Sequence, residues 1–149
     1  MMETFFVIFV LSLLALMGMG SFFVYQREVT IDGLAHEVAA NVERAHTLSL
    51  VGFKNSIYGV HFETSKYVLF TGSVYVPTAT SNEIRQLNNY RFPTPQAFSN
   101  GTGGFTSDII FSALSGKTNN TGTIRLESVG NSGVFRSINV NSLGLVTLP

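Results

Sequence analysis

The feature that most constrains this chain is a run of 23 residues near its start that carries no formal charge. The run extends from Thr4 to Gln26, between Glu3 and Arg27, and most of its side chains are large and apolar. As a helix, a run of this length can cross a hydrocarbon layer of roughly 30 Å. Three identities are open: a cleaved secretory signal, a plain membrane anchor, or the apolar half of a longer stem helix.

The secretory signal fits the run least well. A cleaved signal has a basic region before the apolar stretch and a small-residue cleavage site after it. Here the only early charge is Glu3, and Gly18-Met19-Gly20-Ser21 matches such a site poorly. A plain anchor stays open, because an acid near a helix N-terminus is favoured by the helix dipole.

The residues that follow the run continue a helical pattern. From Glu28 to Leu50, apolar side chains recur at steps of three or four, which predicts a helix with one buried face. Gly52 is placed to end that helix. The predicted face consists of Ile31, Leu34, Val38, Val42, Ala45 and Leu48.

After Gly52 the sequence is rich in aromatic and β-branched residues, which predicts strands. Pro77–Gly104 holds three of the four prolines and is predicted to be a long excursion with one strand inside it. The predicted strands are Ser56–Glu63, Lys66–Val76, Asn89–Phe92, Asp108–Ala113, Gly122–Ser128, Val134–Val140 and Leu143–Leu148.

The composition excludes several classes of function. Nine basic side chains balance nine acidic ones, and charged residues make up only 12% of the chain. No strong field therefore attracts nucleic acid or anionic lipid. The chain has no cysteine, which removes disulfides, cysteine-based zinc sites and thiol catalysis.

Three short patterns suggest chemistry but lack a needed partner. Ser115-Gly116-Lys117-Thr118 is similar to the end of a phosphate-binding loop, but Phe111 stands where the first glycine belongs. His36-Glu37 begins like a zinc-binding helix, but Ala40 stands where the second histidine belongs. We interpret the first pattern as a polar turn, and His36 and the later His46 as surface histidines of the helix.

His61 and Asp108 are the third pattern, because both belong to serine-based catalytic triads. The chain has no G-x-S-x-G sequence to supply the nucleophile. We interpret the two residues as a coincidence. We therefore predict no catalytic residue, no metal site and no cofactor, and expect that the protein is not an enzyme.

The N-terminus resembles that of type IV pilins and pseudopilins. The resemblance lies in Met1-Met2-Glu3-Thr4 followed by Phe5-Phe6-Val7-Ile8, with Glu3 at the acid of the family pattern. It implies that a leader and two mature residues precede Met1 in a processed, N-methylated prepilin. In that family the acid is thought to meet the N-terminal amine of a neighbouring subunit. The resemblance thus implies that Glu3 directs filament assembly.

The order of the later segments resembles the H-type minor pseudopilins and the related FimT-like minor pilins. The segments are YVLFTG, DIIFSALSG, GTIRLES and RSINVNSLGLV. The implied fold class is α+β, with a long N-terminal helix packed on a C-terminal antiparallel two-sheet β head. Residues 1–26 would form the transmembrane half of the helix, 27–52 its amphipathic half, and 53–149 an extracytoplasmic head.

The resemblance implies a minor pseudopilin or minor pilin, a structural subunit of a type II secretion or type IV pilus-like filament. Its partners would be other pilin-like subunits through the stem helix, membrane lipid, and secretion cargo through the head loops. The implied localisation is that of a single-pass protein of the bacterial inner membrane, later incorporated into a pilus or pseudopilus.

Two alternatives accompany this interpretation. The first is a stand-alone membrane-anchored β-domain that acts as an adhesin or envelope sensor. The second is a DNA-uptake minor pilin, which would bind DNA through a Gly-Arg-x-Arg stretch. The matching residues here, Gly144-Leu145-Val146-Thr147, lack both arginines, and only Arg125 and Arg136 remain nearby. Nucleic acid is therefore not an expected partner, since two bases bind phosphate weakly.

Overall fold

A computed structural model describes residues 2–93, 98–99 and 105–148, and for residues 16–24 and 105 it describes the backbone alone. Helix α1 is Met2–Leu50, and a 3-10 turn follows at Phe53–Asn55. The chain divides into two compact units, Met1–Thr30 and Ile31–Pro149. The strands are β1 Tyr58–Glu63, β2 Lys66–Thr71, β3 Glu83–Gln86, β4 Tyr90–Arg91, β5 Phe98–Ser99, β6 Phe105–Thr106, β7 Asp108–Phe111, β8 Gly122–Ser128, β9 Asn131–Val140 and β10 Val146–Thr147.

The predicted fold class was wrong in its helical part, which required one stem with a transmembrane half. α1 is one helix in its backbone, Met2–Leu50, but only the part from Ile31 onward belongs to the unit that contains the sheets. No helix among the described residues could cross a membrane, so a stem with a transmembrane half is not shown. The boundaries at 26/27 and 52/53 stay predictions.

The predicted localisation, a single-pass protein of the bacterial inner membrane, was also wrong. Within the residues that the structure describes, no helix is both long enough and apolar enough to cross a membrane. The prediction rested on the uncharged and mainly apolar run Thr4–Gln26, since crossing requires about 20 consecutive, mainly apolar side chains. The predicted transmembrane helix is withdrawn with it.

The second part of α1 packs against the sheets as its apolar spacing predicts. Ile31, Val38, Val42 and Ala45 are fully buried, and the helix ends at Leu50. Gly52 adopts the left-handed conformation at φ 62°, and its N–H donates to the Ser49 carbonyl at 3.1 Å. The predicted buried face and the glycine that ends the helix are both confirmed.

Two four-stranded antiparallel sheets form the rest of this unit. One has the strand order β3-β2-β1-β7 and the other the order β10-β9-β8-β4. A third, two-stranded ribbon joins β5 to β6. The core between them is strongly aromatic: Phe62 lies 5.3 Å from Phe92 and 5.5 Å from Phe98, measured between ring centroids.

Most predicted strands are found, several with shorter ends and β9 with a longer start, and three strands were missed, namely β3, β5 and β6. Glu83–Gln86 forms β3 inside the Pro77–Gly104 segment, where we predicted an excursion. All four of its side chains are exposed, so it lacks the buried alternation that marks a strand in sequence. Its pairing partner is β2, from Lys66↔Gln86 to Leu69↔Glu83.

Candidate functional site

The candidate functional site is the set of exposed apolar side chains within residues 2–15 of α1, which we call the N-terminal apolar surface. Every side chain described in this stretch is exposed. The largest exposed fractions among its bulky residues are 88% at Met2, 72% at Phe5 and 68% at Phe6. Water-soluble surfaces rarely carry so many contiguous large apolar groups unless they bind something.

Only three polar residues lie in this stretch, namely Glu3, Thr4 and Ser12. The Ser12 hydroxyl donates to the Phe9 carbonyl at 2.7 Å, so its hydrogen bond is made within the helix. Such back-bonding satisfies a hydroxyl without drawing water to the surface. The stretch therefore presents mainly hydrocarbon, and its chemistry suits burial against another apolar surface.

Glu3, the predicted assembly residue, lies in the first turn of α1 and is exposed. It is the only charged residue in the stretch 2–15, and it lines a shallow depression with Thr4, Val7 and Ile8. The helix dipole favours an acid at this end of a helix. Its role in assembly stays a prediction.

His61 and Asp108 are in contact, although the sequence analysis interpreted them as a coincidence. They are cross-strand partners of β1 and β7, and His61 Nδ1 lies 2.5 Å from Asp108 Oδ1. Side chains directly opposite on an antiparallel pair have Cβ atoms about 5 Å apart. Both side chains are mostly buried, with 19% and 22% exposed. A carboxylate that holds a histidine in this way orients the ring.

The rest of this cluster does not supply a nucleophile. His61 Nε2 faces Glu63 Oε1 at 3.8 Å, and the Tyr75 ring stacks on His61 with 4.0 Å between centroids. Glu63 is also held by Lys66 at 3.2 Å and accepts from the Tyr75 hydroxyl at 3.5 Å. The nitrogen that would activate a serine thus faces a carboxylate at a distance too long for a hydrogen bond, and the contacts described for this cluster include no serine. The cluster fastens the segment after β2 to the sheet.

The other sequence patterns are separated by the fold. His36 Nε2 lies 4.0 Å from Asp32 Oδ2 on the exposed side of α1, as predicted for a surface histidine. His46 is partly buried and contacts the Phe111 ring edge-on at 5.5 Å, so its prediction as a surface residue was wrong. The turn after β7 is formed by Ala113–Ser115, and Gly116–Thr118 follow it as irregular backbone. Among the described residues, no three His, Asp or Glu side chains form a metal-binding group.

The two basic residues considered for DNA binding have partners within the protein. The Arg125 guanidinium lies over the Phe135 ring at 4.1 Å. Arg136 Nε donates to Asp32 Oδ1 at 3.1 Å and so joins β9 to α1. Neither side chain is presented as a free phosphate ligand.

Two polar contacts between α1 and the first sheet escaped the sequence analysis. Arg44 donates to both carboxylate oxygens of Glu83, at 2.6 Å and 2.9 Å, and this bond lowers the pKa of Glu83. Asn41 Nδ2 donates to the Tyr67 hydroxyl at 3.0 Å, and that hydroxyl donates to Glu37 Oε1 at 3.3 Å. Burial is the main cause of the raised pKa of Tyr67. Both contacts span more than 25 residues of sequence, so only the fold could show them.

Comparison with models of known protein families, with curated protein sequences and with solved structures returned no match. The assignment of the chain to pilins, pili or secretion machines, which was predicted from the N-terminal resemblance, has no family match behind it and is withdrawn. That resemblance was carried by apolar and strand patterns, which many unrelated sequences share.

Proposed function

We propose that this protein is a structural subunit that associates with further copies of itself by burying its N-terminal apolar surface. The exposed apolar side chains of residues 2–15 are the observation that carries this proposal. The chain has nine basic and nine acidic residues, so copies of it do not repel each other through net charge. A net charge near zero favours association between copies.

The energetics of such a contact are favourable. Burying one large apolar side chain is worth about 1.5–3 kcal/mol. Phe5, Phe6, Ile8, Phe9 and Leu14 are each at least 60% exposed. Several such side chains together can offset an association cost of about 4–15 kcal/mol. The described residues supply no comparable support for catalysis, because the His61 cluster offers no nucleophile.

A thiol-reactivity experiment tests the proposal, because the chain has no native cysteine. Phe9→Cys places one thiol in the N-terminal apolar surface, and Glu43→Cys places one on an exposed part of α1 outside it. The rate of reaction with a maleimide is measured on the full chain at low and high protein concentration. We expect the thiol at position 9 to react several-fold more slowly at high concentration, and the thiol at position 43 to be unaffected. Equal rates at position 9 would remove the basis of the proposal.

A further inference from the structure

Three segments that are distant in sequence meet at the C-terminal end of α1. The Leu114 N–H donates to the Ser49 carbonyl at 2.8 Å, as a second donor beside the Gly52 N–H at the end of the helix. The Thr118 N–H donates to the Ser142 carbonyl at 3.2 Å. A Cβ on Gly144 would lie 2.5 Å from the Gly116 oxygen, which shows how closely the two loops approach. These contacts fix the three segments to one another.

This fixed arrangement exposes apolar side chains, which we call the receiving surface. Leu114 is 73% exposed and has φ 62°, a left-handed conformation that a leucine rarely adopts. The backbone bond to Ser49 holds that conformation, while the side chain remains in solvent. The receiving surface consists of Leu50, Val51, Phe53, Leu114, Leu143 and Leu145, each at least 44% exposed.

The charges at the two apolar surfaces are opposite in sign. Lys54 and Lys117 are the only charged residues in the segments 48–55, 112–118 and 141–146 that carry the receiving surface, and both are exposed. Glu3 is the only charged residue in the stretch 2–15. Complementary charges set the register and orientation of an apolar contact more than its affinity. Arg44 and Glu83 line a pocket with Phe53 and Lys54, but they pair with each other, so the two lysines remain as the excess charge beside the receiving surface and suit the acid of the other surface.

We infer that the N-terminal apolar surface of one copy docks on the receiving surface of a second copy, with Glu3 facing Lys54 or Lys117. This inference rests on the proposed function and adds the partner surface to it. In a parallel pairing of two N-terminal apolar surfaces, two Glu3 carboxylates would meet with no basic residue in the stretch 2–15. A contact between two different surfaces avoids this repulsion. Such heterologous contacts close into rings or extend into open filaments.

Disulfide formation between single-cysteine chains tests the inference directly. Full chains carrying Val7→Cys are mixed with mass-tagged full chains carrying Leu114→Cys and are then oxidised. We expect mixed dimers to dominate. Ser132→Cys, an exposed position of β9 outside the segments that carry the two surfaces, serves as the matched control and should give few mixed dimers. Leu143→Cys provides a second acceptor position whose backbone is not left-handed.

The outcomes separate this inference from the proposed function. If Val7→Cys forms dimers only with itself, the receiving surface is not the partner, although the N-terminal apolar surface is still buried by association. If no dimers form and the thiol at position 9 is not protected, both ideas fail.

A charge exchange adds an independent readout: Glu3→Lys should lower the yield of mixed dimers several-fold, and Lys54→Glu with Lys117→Glu in the acceptor should restore it. An unchanged yield in both cases would contradict the assigned charge contact.

Discussion

Gly144 and Gly116 bring two loops against the His46 ring, and neither position has room for a side chain. A Cβ at Gly144 would lie 2.5 Å from the Gly116 oxygen and 2.6 Å from His46, and its φ is +81°. We expect Gly144→Ala to destabilise the fold by about 2 kcal/mol or more, because strain and overlap add. Gly33→Ala is the control: nothing lies within 4 Å there, and a helix interior favours alanine by about 0.5–1 kcal/mol. Urea unfolding measures the free energy of unfolding of both variants. An unchanged value for Gly144→Ala would contradict the close contact between the two loops.

The Arg44–Glu83 pair predicts a small pH dependence of stability. The bond from Arg44 holds the pKa of Glu83 below its usual value, so its contribution is present above the unfolded pKa and is lost as pH falls through the folded pKa. Because 44% of the Glu83 side chain is exposed, we expect Glu83→Gln to lower the free energy of unfolding at pH 7 by only about 0.2–1 kcal/mol. This difference should vanish in acid. Glu43→Gln, an exposed neighbour on α1, should show no such trend.

Glu3 gives the residue-scale prediction on assembly. Removing its charge should weaken association, because the carboxylate is the one charged group in the stretch 2–15. Glu3→Ala should raise the concentration at which copies associate several-fold, as followed by light scattering. Glu28→Ala removes an equally exposed acid of α1 outside this stretch and should leave association unchanged. Equal effects of the two substitutions would show that Glu3 has no specific role.

At the scale of elements, α1 changes character between Thr30 and Ile31. Val29 is 53% exposed, whereas Ile31 is fully buried in the core. Ile31→Ala should cost about 2–5 kcal/mol of unfolding free energy, because it leaves a cavity in a close-packed interior. Val29→Ala should stay within about 0.5 kcal/mol of the wild type. Similar costs for both substitutions, measured by thermal or urea unfolding, would contradict the boundary between the two units.

The same boundary shows how far the elements could be predicted from the sequence. The face from Ile31 to Ala45 was predictable, because steps of three and four residues define one side of a helix. The exposed strand Glu83–Gln86 was not, because its side chains carry no buried pattern. The His61–Asp108 contact depends on the register of β1 with β7, which spacing in sequence does not encode. The transmembrane prediction rested on the length and apolar character of residues 4–26, and no helix among the described residues is long and apolar enough to cross a membrane.

At the scale of the whole molecule, two exposed apolar surfaces of opposite charge need an explanation that a single copy does not supply. The sequence indicated the first through its long run without charge. The second, the receiving surface, was invisible in sequence because Leu50, Leu114 and Leu143 lie on three separate segments. Only the folded backbone, with its left-handed positions at Leu114 and Gly144, brings them together. Assembly accounts for both surfaces with one contact.

Sedimentation velocity of the full chain tests the central claim most directly. The wild type is compared with the combined variant Phe5→Ser, Phe6→Ser and Phe9→Ser, which replaces three side chains that are each at least 60% exposed. These residues lie outside the buried core, so the variant should unfold at the same urea concentration as the wild type. We predict concentration-dependent oligomers for the wild type and monomers for the variant. A wild type that stays monomeric, or a variant that associates equally well, would contradict the account.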